Sequence, residues 1–228
     1  MILLKFHTLD STQSFLKRHP ELNLCGVIAE TQSDGRGRWG NRWESQPGAG
    51  LYLSAAIRDP ELPPGAVMQR AMLHVVACLG AAGLGAARLG LKWPNDLVAW
   101  KEGSLVKLGG IIGELDGDRL ILGLGVNLRT APMLEDSAMP AASLADLGLP
   151  VPNPEPLALS ILAAWDGLPP APEPAFRWPA HGDAVRWKDG QGMVLGWEED
   201  GRLRVANQAG IQRLVAGDVV GLRSGSPG

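Results

Sequence analysis

The segment from Gly35 to Gly40 constrains the fold and the site of this chain more than any other stretch. Three glycines are interleaved there with two arginines and a tryptophan, in the order Gly35-Arg36-Gly37-Arg38-Trp39-Gly40. Glycine lets backbone N–H groups approach a ligand closely, and the arginine fork suits carboxylates and phosphates. The segment fits the dinucleotide pattern G-x-G-x-x-G, but that pattern needs a helix directly after it, and residues 41–50 are typical of a loop. We therefore expect a loop that closes over an anionic small molecule, with a solvated basic turn as the alternative.

Length and charge limit the function classes. The chain has 228 residues, enough for one large core or for a large and a small domain. Its net charge of −3 provides no overall field that would attract nucleic acid or an anionic membrane. No apolar run approaches the roughly 18 residues of a membrane span, and the apolar N-terminal run is too short for a signal peptide, so we expect a cytoplasmic protein. Cys25 and Cys78 lie in apolar surroundings and are expected to be buried free thiols.

The hydrophobic pattern predicts an α+β chain in two parts. Strands are expected at 2–8, 26–30, 51–57, 89–92, 97–100, 105–115 and 119–127, and helices at 11–18, 65–82 and 153–165. Five prolines within 167–180 predict a stiff linker. Short β runs separated by glycine turns follow and predict a small antiparallel barrel or sandwich of about five strands. We therefore expect one domain over residues 1–175 and a second over 176–228.

Two further places in the sequence combine polar side chains with strand ends. Asp10 is the expected N-cap of the first helix, and the hydroxyls of Ser11 and Thr12 could serve either the cap or a ligand. In Lys92-Trp93-Pro94-Asn95-Asp96 a strand delivers a lysine into a bend, which is either a plain hairpin turn or a place that holds nucleotide groups.

A third place is a lysine set into an apolar strand. Lys107 is followed by Leu108, Gly109 and Gly110. A buried lysine is costly without an anionic partner, and the glycines leave room for a ligand against the strand. The alternative is a lysine that reaches solvent from an edge strand.

Together these motifs resemble one family, the biotin–protein ligases, also called biotin–[acetyl-CoA-carboxylase] ligases. The matching pieces occur in the family's order and span residues 10–127: Asp10-Ser11-Thr12, Glu30-Thr31-Gln32, Gly35-Arg36-Gly37-Arg38-x-Gly40, Gly50-Leu51-Tyr52-Leu53-Ser54, Lys92-Trp93-Pro94-Asn95-Asp96, Lys107-Leu108-Gly109-Gly110-Ile111 and Gly123-x-Gly125-Val126-Asn127. The combination of the third, fifth and sixth pieces, which begin at Gly35, Lys92 and Lys107, is specific, because no other family known to us carries all three. The resemblance implies a class II synthetase-like catalytic fold, a mixed and largely antiparallel sheet with helices on one face, followed by a small SH3-like β barrel.

The resemblance also implies a reaction. Biotin and ATP would form biotinyl-5′-AMP and pyrophosphate, with Mg²⁺ as the counter-ion of ATP and no metal site built by the protein alone. A lysine of a biotin carboxyl carrier protein would then accept the biotinyl group. Relatives with an N-terminal helix-turn-helix domain repress transcription; this sequence starts at the catalytic strand, so we expect no nucleic acid partner and no membrane partner. Many relatives dimerise, and the sequence leaves the oligomeric state open.

Site residues are carried over from the resemblance position by position. The catalytic residues would be Lys107, Arg36 and Arg38. The biotin-binding residues would be Ser11, Thr12, Gln13, Gln32, Gly35, Arg36, Gly37, Arg38, Lys107, Gly109 and Gly110. The nucleotide-binding residues would be Arg36, Arg38, Trp39, Trp43, Lys92, Asn95, Asp96, Lys107 and Asn127.

Three alternatives stay open at this stage. The segment between Asp96 and Lys107 is longer than in the family's short forms, which makes Lys101 a competitor for the role of Lys107, although Lys101 lacks the following Leu-Gly-Gly. A lipoate–protein ligase or octanoyltransferase would share the fold. A protein that binds biotin without ligating it would keep part of the site, but the intact arginines and lysine argue against such a loss.

Overall fold

The computed structural model describes residues 2–22, 25–40, 42–58, 60–84, 89–133, 139–215, 217 and 219–222, and only the backbone of Trp39. Within these ranges the chain forms two sheets and three α-helices. The strands of the first sheet are β1 (Ile2–Leu9), β2 (Cys25–Gln32), β3 (Gly50–Arg58), β4 (Leu89–Lys92), β5 (Asp96–Lys101), β6 (Ser104–Asp116), β7 (Arg119–Asn127) and β8 (Phe176–Trp178). The second sheet contains β9 (Ala184–Trp187), β10 (Gly190–Trp197), β11 (Leu203–Asn207), β12 (Gly210–Leu214) and β13 (Val220–Gly221). The helices are α1 (Thr12–Arg18), α2 (Pro64–Leu79) and α3 (Pro154–Trp165).

The first sheet is mixed. Its strand order is β1-β2-β3-β7-β6-β5-β4-β8, with parallel pairs only at the two ends, β1 with β2 and β4 with β8, and antiparallel pairs between them. The second sheet is antiparallel, in the order β12-β11-β10-β9-β13. The predicted α+β class, the mixed and largely antiparallel sheet and the C-terminal antiparallel β structure are confirmed.

Alternation along β7 separates a core face from an open face. Leu120, Leu122, Leu124 and Val126 belong to the main hydrophobic core, in which α2 and α3 also take part. The residues between them point to the other side of the sheet because successive side chains of a strand alternate. There Ile121 packs against Leu16 of α1, and glycines at 123 and 125 leave the sheet surface bare.

The helices divide between the two faces. The two long helices lie together on the core face, where Trp165 Nε1 of α3 donates to the carbonyl oxygen of Ala71 of α2 at 3.0 Å. The short helix α1 lies on the opposite face through Leu16, which is a difference from the expectation that all helices share one face. It brings the start of α1 to the bare surface of β7.

One helical stretch, Pro64–Leu84, is long and apolar enough to span a membrane by length and composition alone. Within it α2 directs Val67, Ala71 and Val75 into the core, each at most 1% exposed. Packing on the sheet therefore accounts for its apolar composition.

The predicted linker is wrong at its C-terminal end. Residues 176–178 form β8, which pairs in parallel with Gly90, Leu91 and Lys92 of β4. The proline content of 167–180 hid this strand, since proline within a run is a signal against a strand interior. The division into domains over 1–175 and 176–228 stays a prediction, and β8 at the start of the second range is hydrogen-bonded to the first sheet.

Replacement of Leu53 tests the core. Its side chain is fully buried between β3 and the long helices, so Leu53→Ala should lower the free energy of unfolding by about 2–5 kcal/mol in urea denaturation. Leu159→Ala, at a position of α3 that is 46% exposed, is the control and should change it by less than about 1 kcal/mol. Equal losses in both variants would contradict the assigned faces.

Candidate functional site

A cavity of about 1230 Å³ opens on the face of the first sheet that carries α1. Most of the predicted site residues line it: Ser11, Thr12, Gln13, Gln32, Arg36, Gly37, Arg38, Trp43, Lys92, Asn95, Asp96, Lys107, Gly110 and Asn127. Among the described lining residues, five lysine or arginine side chains stand against two carboxylates, although the whole chain carries a formal charge of −3. The positive charge is therefore local and suits an anionic ligand.

One end of the cavity is polar and uncharged. The amide oxygen of Gln32 accepts hydrogen bonds from the backbone N–H and the hydroxyl of Thr12, at 2.9 and 3.1 Å. The Thr12 hydroxyl also lies 2.8 Å from the Ser54 hydroxyl on β3. These bonds fix three side chains from α1, β2 and β3 in one cluster that offers hydroxyl and amide groups to a ligand.

Gln13 closes this end from above β7. Its side-chain amide donates to the carbonyl oxygen of Ile121 at 3.1 Å. A Cβ atom at Gly123 would lie 3.1 Å from the Gln13 side chain, so the side chain would have to move by a few tenths of an ångström. Glycine at 123 therefore lets Gln13 lie flat against the strand.

The N-cap of α1 is Ser11, and the expectation of Asp10 is wrong. The Ser11 hydroxyl accepts from the N–H of Ser14 at 3.4 Å. Asp10 instead forms a two-pronged ion pair with Arg18, at 2.6 and 2.8 Å. The Asp10 carboxylate is thus engaged by Arg18, the last residue of the same short helix, and the Ser11 hydroxyl caps the helix instead.

The Asp10–Arg18 pair gives a pH-dependent prediction. The Arg18 guanidinium favours the ionised carboxylate and lowers the pKa of Asp10 from 3.8 to about 2. Its stabilisation is present above the unfolded pKa and is lost as the pH falls through the folded value. In urea denaturation the wild type should therefore have a slightly higher free energy of unfolding than Asp10→Asn near neutral pH, and the difference is small because the pair is exposed. The difference should disappear between pH 3.8 and about 2, and one that is constant with pH would contradict the assignment.

Charged groups form the other end of the cavity. Lys107 Nζ lies 2.7 Å from one oxygen of Asp96, and Lys92 Nζ lies 4.0 Å from the other. Lys92 also lies 5.5 Å from the centre of the Trp178 ring. The Asp96 carboxylate, 9% exposed as a residue, thus holds two cations side by side in the cavity. The anionic partner that a lysine within an apolar strand needs is therefore present.

The position of Lys107 follows from an irregularity in β5 and β6. Their register shifts between Leu97 and Val98. The backbone of Lys107 bonds on its other side to residues 140–142: its N–H donates to Pro140 at 2.8 Å and its carbonyl accepts from Ala142 at 2.9 Å. Asn127 holds the same segment, since its side-chain amide donates to the Ala142 carbonyl at 3.2 Å.

The Gly-Arg loop folds back on itself. The N–H of Trp43 donates to the carbonyl of Gly35 at 2.8 Å, and Arg36 and Arg42 form an isolated antiparallel bridge. Arg38 reaches across the cavity and donates to the Asn95 side-chain oxygen at 3.1 Å and to the Gly217 carbonyl at 3.5 Å. The loop thereby joins the bend after β4 to the C-terminal sheet.

Trp43 lies directly on the bare surface of β7. A Cβ atom at Gly125 would lie 2.4 Å from the indole ring. Glycine at 125 is therefore required by the close approach of Trp43, which forms one wall of the cavity.

Three predicted residues are not among the lining side chains. A Cβ atom at Gly35 would lie 2.5 Å from the Trp43 carbonyl, and one at Gly109 would lie 2.4 Å from the Gly125 carbonyl. Both glycines are explained by close backbone approach, in the loop and between β6 and β7. The side chain of Trp39 lies outside the described part of the chain. Ligand contacts for these three residues stay predictions.

Other lining residues were not predicted: Ser54, Arg42, Trp100, Trp178, Met139, Pro140, Ala141 and the segment Val219, Val220 and Gly221. Alternation along β3 could have found Ser54, which lies between two core-facing positions. Trp178 and the C-terminal residues have no local signal, because they belong to a segment expected to be a linker and to a separate β unit.

Comparison with known proteins gives the family. Residues 6–128 match the Biotin/lipoate A/B protein ligase family. The chain belongs to this family. Among curated members, it is 37% identical over 142 residues to the biotin–[acetyl-CoA-carboxylase] ligase of Mycobacterium tuberculosis, covering 60% of this chain and 50% of that protein. The ligase of the same name from Paracoccus denitrificans is 34% identical over 59% of each chain, and the bifunctional ligase/repressor BirA of Escherichia coli is 37% identical over 53% of this chain and 38% of its own. The chain thus spans about half the length of these relatives.

Solved structures of family members share the fold over nearly the whole chain. The biotin protein ligase from Aquifex aeolicus in complex with biotin and ATP superposes with a TM-score of 0.75 at 24% identity, covering 97% of this chain and 99% of that chain. Biotin acetyl coenzyme A carboxylase synthetase from Helicobacter pylori, with bound biotinylated ATP, gives 0.61 at 21% identity, covering 93% and 99%. At these identities the likeness establishes the architecture, including the C-terminal sheet.

Proposed function

We propose that this family member is an ATP-dependent biotin–protein ligase, which makes biotinyl-5′-AMP and transfers the biotinyl group to a lysine of a biotin carboxyl carrier protein. The observation that carries the proposal is a single cavity that joins the neutral polar cluster of Thr12 and Gln32 to the cationic cluster around Lys107. A neutral heterocycle with an acidic tail fits such a pair of ends. The names of the curated relatives support the same activity.

The first step joins two anions. A carboxylate oxygen of biotin attacks the α-phosphorus of ATP, the bond from that phosphorus to the bridging oxygen breaks, and pyrophosphate leaves. Lys107 and Lys92 lie on one carboxylate, Asp96, in a partly buried site, where fixed cations stabilise developing negative charge strongly. We assign to Lys107 the carboxylate and α-phosphate oxygens, and to Arg36 and Arg38 the retention of the adenylate.

The second step uses the mixed anhydride. The amine of the acceptor lysine attacks the acyl carbon, the bond to the phosphate oxygen breaks, AMP leaves, and the amine loses a proton. Because water would also cleave the anhydride, the Gly-Arg loop and Trp43 are expected to cover it until the carrier arrives.

Mg²⁺ is expected to enter with ATP. Mg²⁺ prefers oxygen ligands and usually binds through one or two carboxylates together with substrate phosphates. Asp96 is the buried carboxylate of the cavity and fits that role, with Asn95 beside it. Bound there, the ion would supply charge neutralisation for the phosphates. Among the described residues, no three His, Cys, Asp or Glu side chains cluster into a metal site of their own.

The remaining expectations concern the location of the protein, its partners and its oligomeric state. A cytoplasmic location, a carrier protein as partner and the absence of nucleic acid and membrane partners stay proposals. A homodimer is compatible with the fold, because β1 forms an outer edge of the first sheet.

Intact mass of the acceptor tests the function. A biotin carboxyl carrier domain incubated with this protein, biotin, ATP and Mg²⁺ should gain the mass of one biotinyl group, and only when ATP is present. A gain with lipoate instead of biotin would identify a lipoyl enzyme. Biotin binding without transfer would identify a binding protein, and either result would overturn the proposal.

A further inference from the structure

Trp93 belongs by sequence to the bend after β4 but by packing to the second sheet. Its side chain is fully buried in a separate hydrophobic cluster. The other buried members come from the C-terminal segment: Val185, Val194, Leu203, Val205 and Val219. The core of the second sheet is thus completed by a residue of the bend between β4 and β5.

Two hydrogen bonds fix the position of Trp93 in this cluster. Trp93 Nε1 donates to the carbonyl of Gly201 at 3.0 Å, and its backbone N–H donates to Trp178 at 2.8 Å. Gly201 is itself pressed against the start of α2, since a Cβ atom there would lie 2.4 Å from the carbonyl carbon of Gly65. The acceptor carbonyl therefore cannot shift easily relative to the first sheet.

The neighbours of Trp93 on the bend carry the polar groups of the cavity. Asn95 accepts from Arg38 at 3.1 Å and donates to the Ile111 carbonyl at 2.8 Å. Asp96 pairs with Lys107 at 2.7 Å. Lys92 precedes the indole directly. The indole is outside the cavity lining, so it acts on these groups only through the backbone.

We propose that Trp93 is a positioning residue through which the second sheet sets the Lys92–Asn95–Asp96 bend against Arg38 and Lys107. Its effect on the reaction rests on the function proposed above. Only short backbone links separate the indole from Asn95 and Asp96, so a shift of the indole moves both partners of the catalytic cations. Displacements of about 1 Å in such groups cost up to about a hundredfold in rate.

Trp93→Phe tests the proposal, because it keeps an aromatic ring and removes the donor to Gly201. Trp165→Phe is the matched control: it removes a buried indole donor whose acceptor is the Ala71 carbonyl at 3.0 Å, and Trp165 belongs to the main core, outside both the Trp93 cluster and the cavity lining. Pyrophosphate release should show a kcat about tenfold or more lower in Trp93→Phe, with a raised KM for ATP. Biotin affinity measured by calorimetry without ATP should change less than the KM for ATP, because the Thr12–Gln32 cluster makes no hydrogen bond to the bend. Trp165→Phe should retain wild-type kinetics.

Amide hydrogen exchange supplies a readout that needs no activity. In Trp93→Phe, exchange should accelerate in peptides covering 92–96 and at Ile111, whose N–H donates to Asn95 at 3.0 Å. Trp165→Phe should leave these peptides unchanged. Should Trp93→Phe not accumulate as folded protein, Val194→Ala, which only loosens the cluster around the indole, should show the same changes to a smaller extent.

The outcomes separate the two proposals. If the wild type releases no pyrophosphate, the ligase function fails, and hydrogen exchange still decides whether Trp93 sets the bend. Wild-type exchange at 92–96 in Trp93→Phe, or a lower stability with unchanged kcat and KM, would overturn the positioning role and leave Trp93 as a packing residue.

Discussion

Lys107→Ala should reduce biotinyl-5′-AMP synthesis by about a hundred- to a thousandfold while the protein stays folded. Lys107 is a cation of the cavity that the sheet itself places, with Nζ 2.7 Å from Asp96 and the backbone bonded to residues 140–142. In the proposed reaction it meets the carboxylate and the α-phosphate together, and its charge matters most when negative charge accumulates between them. Removal of a single preorganised donor of this kind typically has an effect of the stated size.

The fold should tolerate the change. The Lys107 side chain is 26% exposed, and Asp96 keeps Lys92 at 4.0 Å, so its carboxylate is not left without a cation. Circular dichroism and urea unfolding should therefore detect a folded protein with moderately reduced stability. Pyrophosphate release under saturating biotin and ATP is the measurement of activity.

Lys101→Ala is the matched control. Lys101 ends β5 on the same hairpin and was the competing candidate from sequence, but it does not line the cavity. It should keep adenylate synthesis within about twofold of wild type, as surface substitutions away from a site do. Loss of activity in Lys101→Ala with retention in Lys107→Ala would assign the catalytic role to Lys101 and would contradict the register of the β5–β6 hairpin.

Much of the fold was predictable from the strands of the sheet centre. Alternation of large apolar and small residues along β7 defines a core face and a bare face before any coordinates are known. The family resemblance implied that Gln32, Lys92 and Lys107 serve one site, and the cavity brings these three side chains together.

The features of the fold that the sequence did not predict depend on contacts between segments that are distant in the sequence. Nothing local to Phe176–Trp178 indicates that this proline-flanked run pairs with β4. Trp93 gives no local sign that it completes the core of a sheet that begins some ninety residues later. The cap of α1 was misassigned because Asp10 and Ser11 are both good caps; in the structure Ser11 caps the helix, and Asp10 pairs with Arg18 eight residues away.

The same limit applies to glycines. The sequence predicted that glycines near 35 and 109 make room for a ligand, whereas close backbone approach already requires them. At Gly110, by contrast, a Cβ atom would lie 3.3 Å from a carboxylate oxygen of Asp96 and 3.7 Å from Lys107 Cε. Sequence identifies where side chains are forbidden, but only packing says which neighbour forbids them.

Arg36→Ala should release biotinyl-5′-AMP about ten- to a hundredfold faster than wild type, because it removes a charge-assisted bond to the ligand. The Arg36 side chain is 47% exposed, and its ion pair with Asp34 is long, at 4.0 Å. The loop contributes little to either core, so the free energy of unfolding should change by less than about 1 kcal/mol.

Displacement of preformed biotinyl-5′-AMP by excess biotin in a stopped-flow experiment measures this rate. Arg58→Ala is the control, since Arg58 pairs with Asp118 at a hairpin outside the cavity and should leave release unchanged. Faster release from Arg36→Ala alone would mean that an exposed guanidinium, which binds little within the folded chain, holds the adenylate until the carrier arrives. Wild-type release would assign that retention to Arg38, which is already fixed between Asn95 and Gly217 before any ligand is bound.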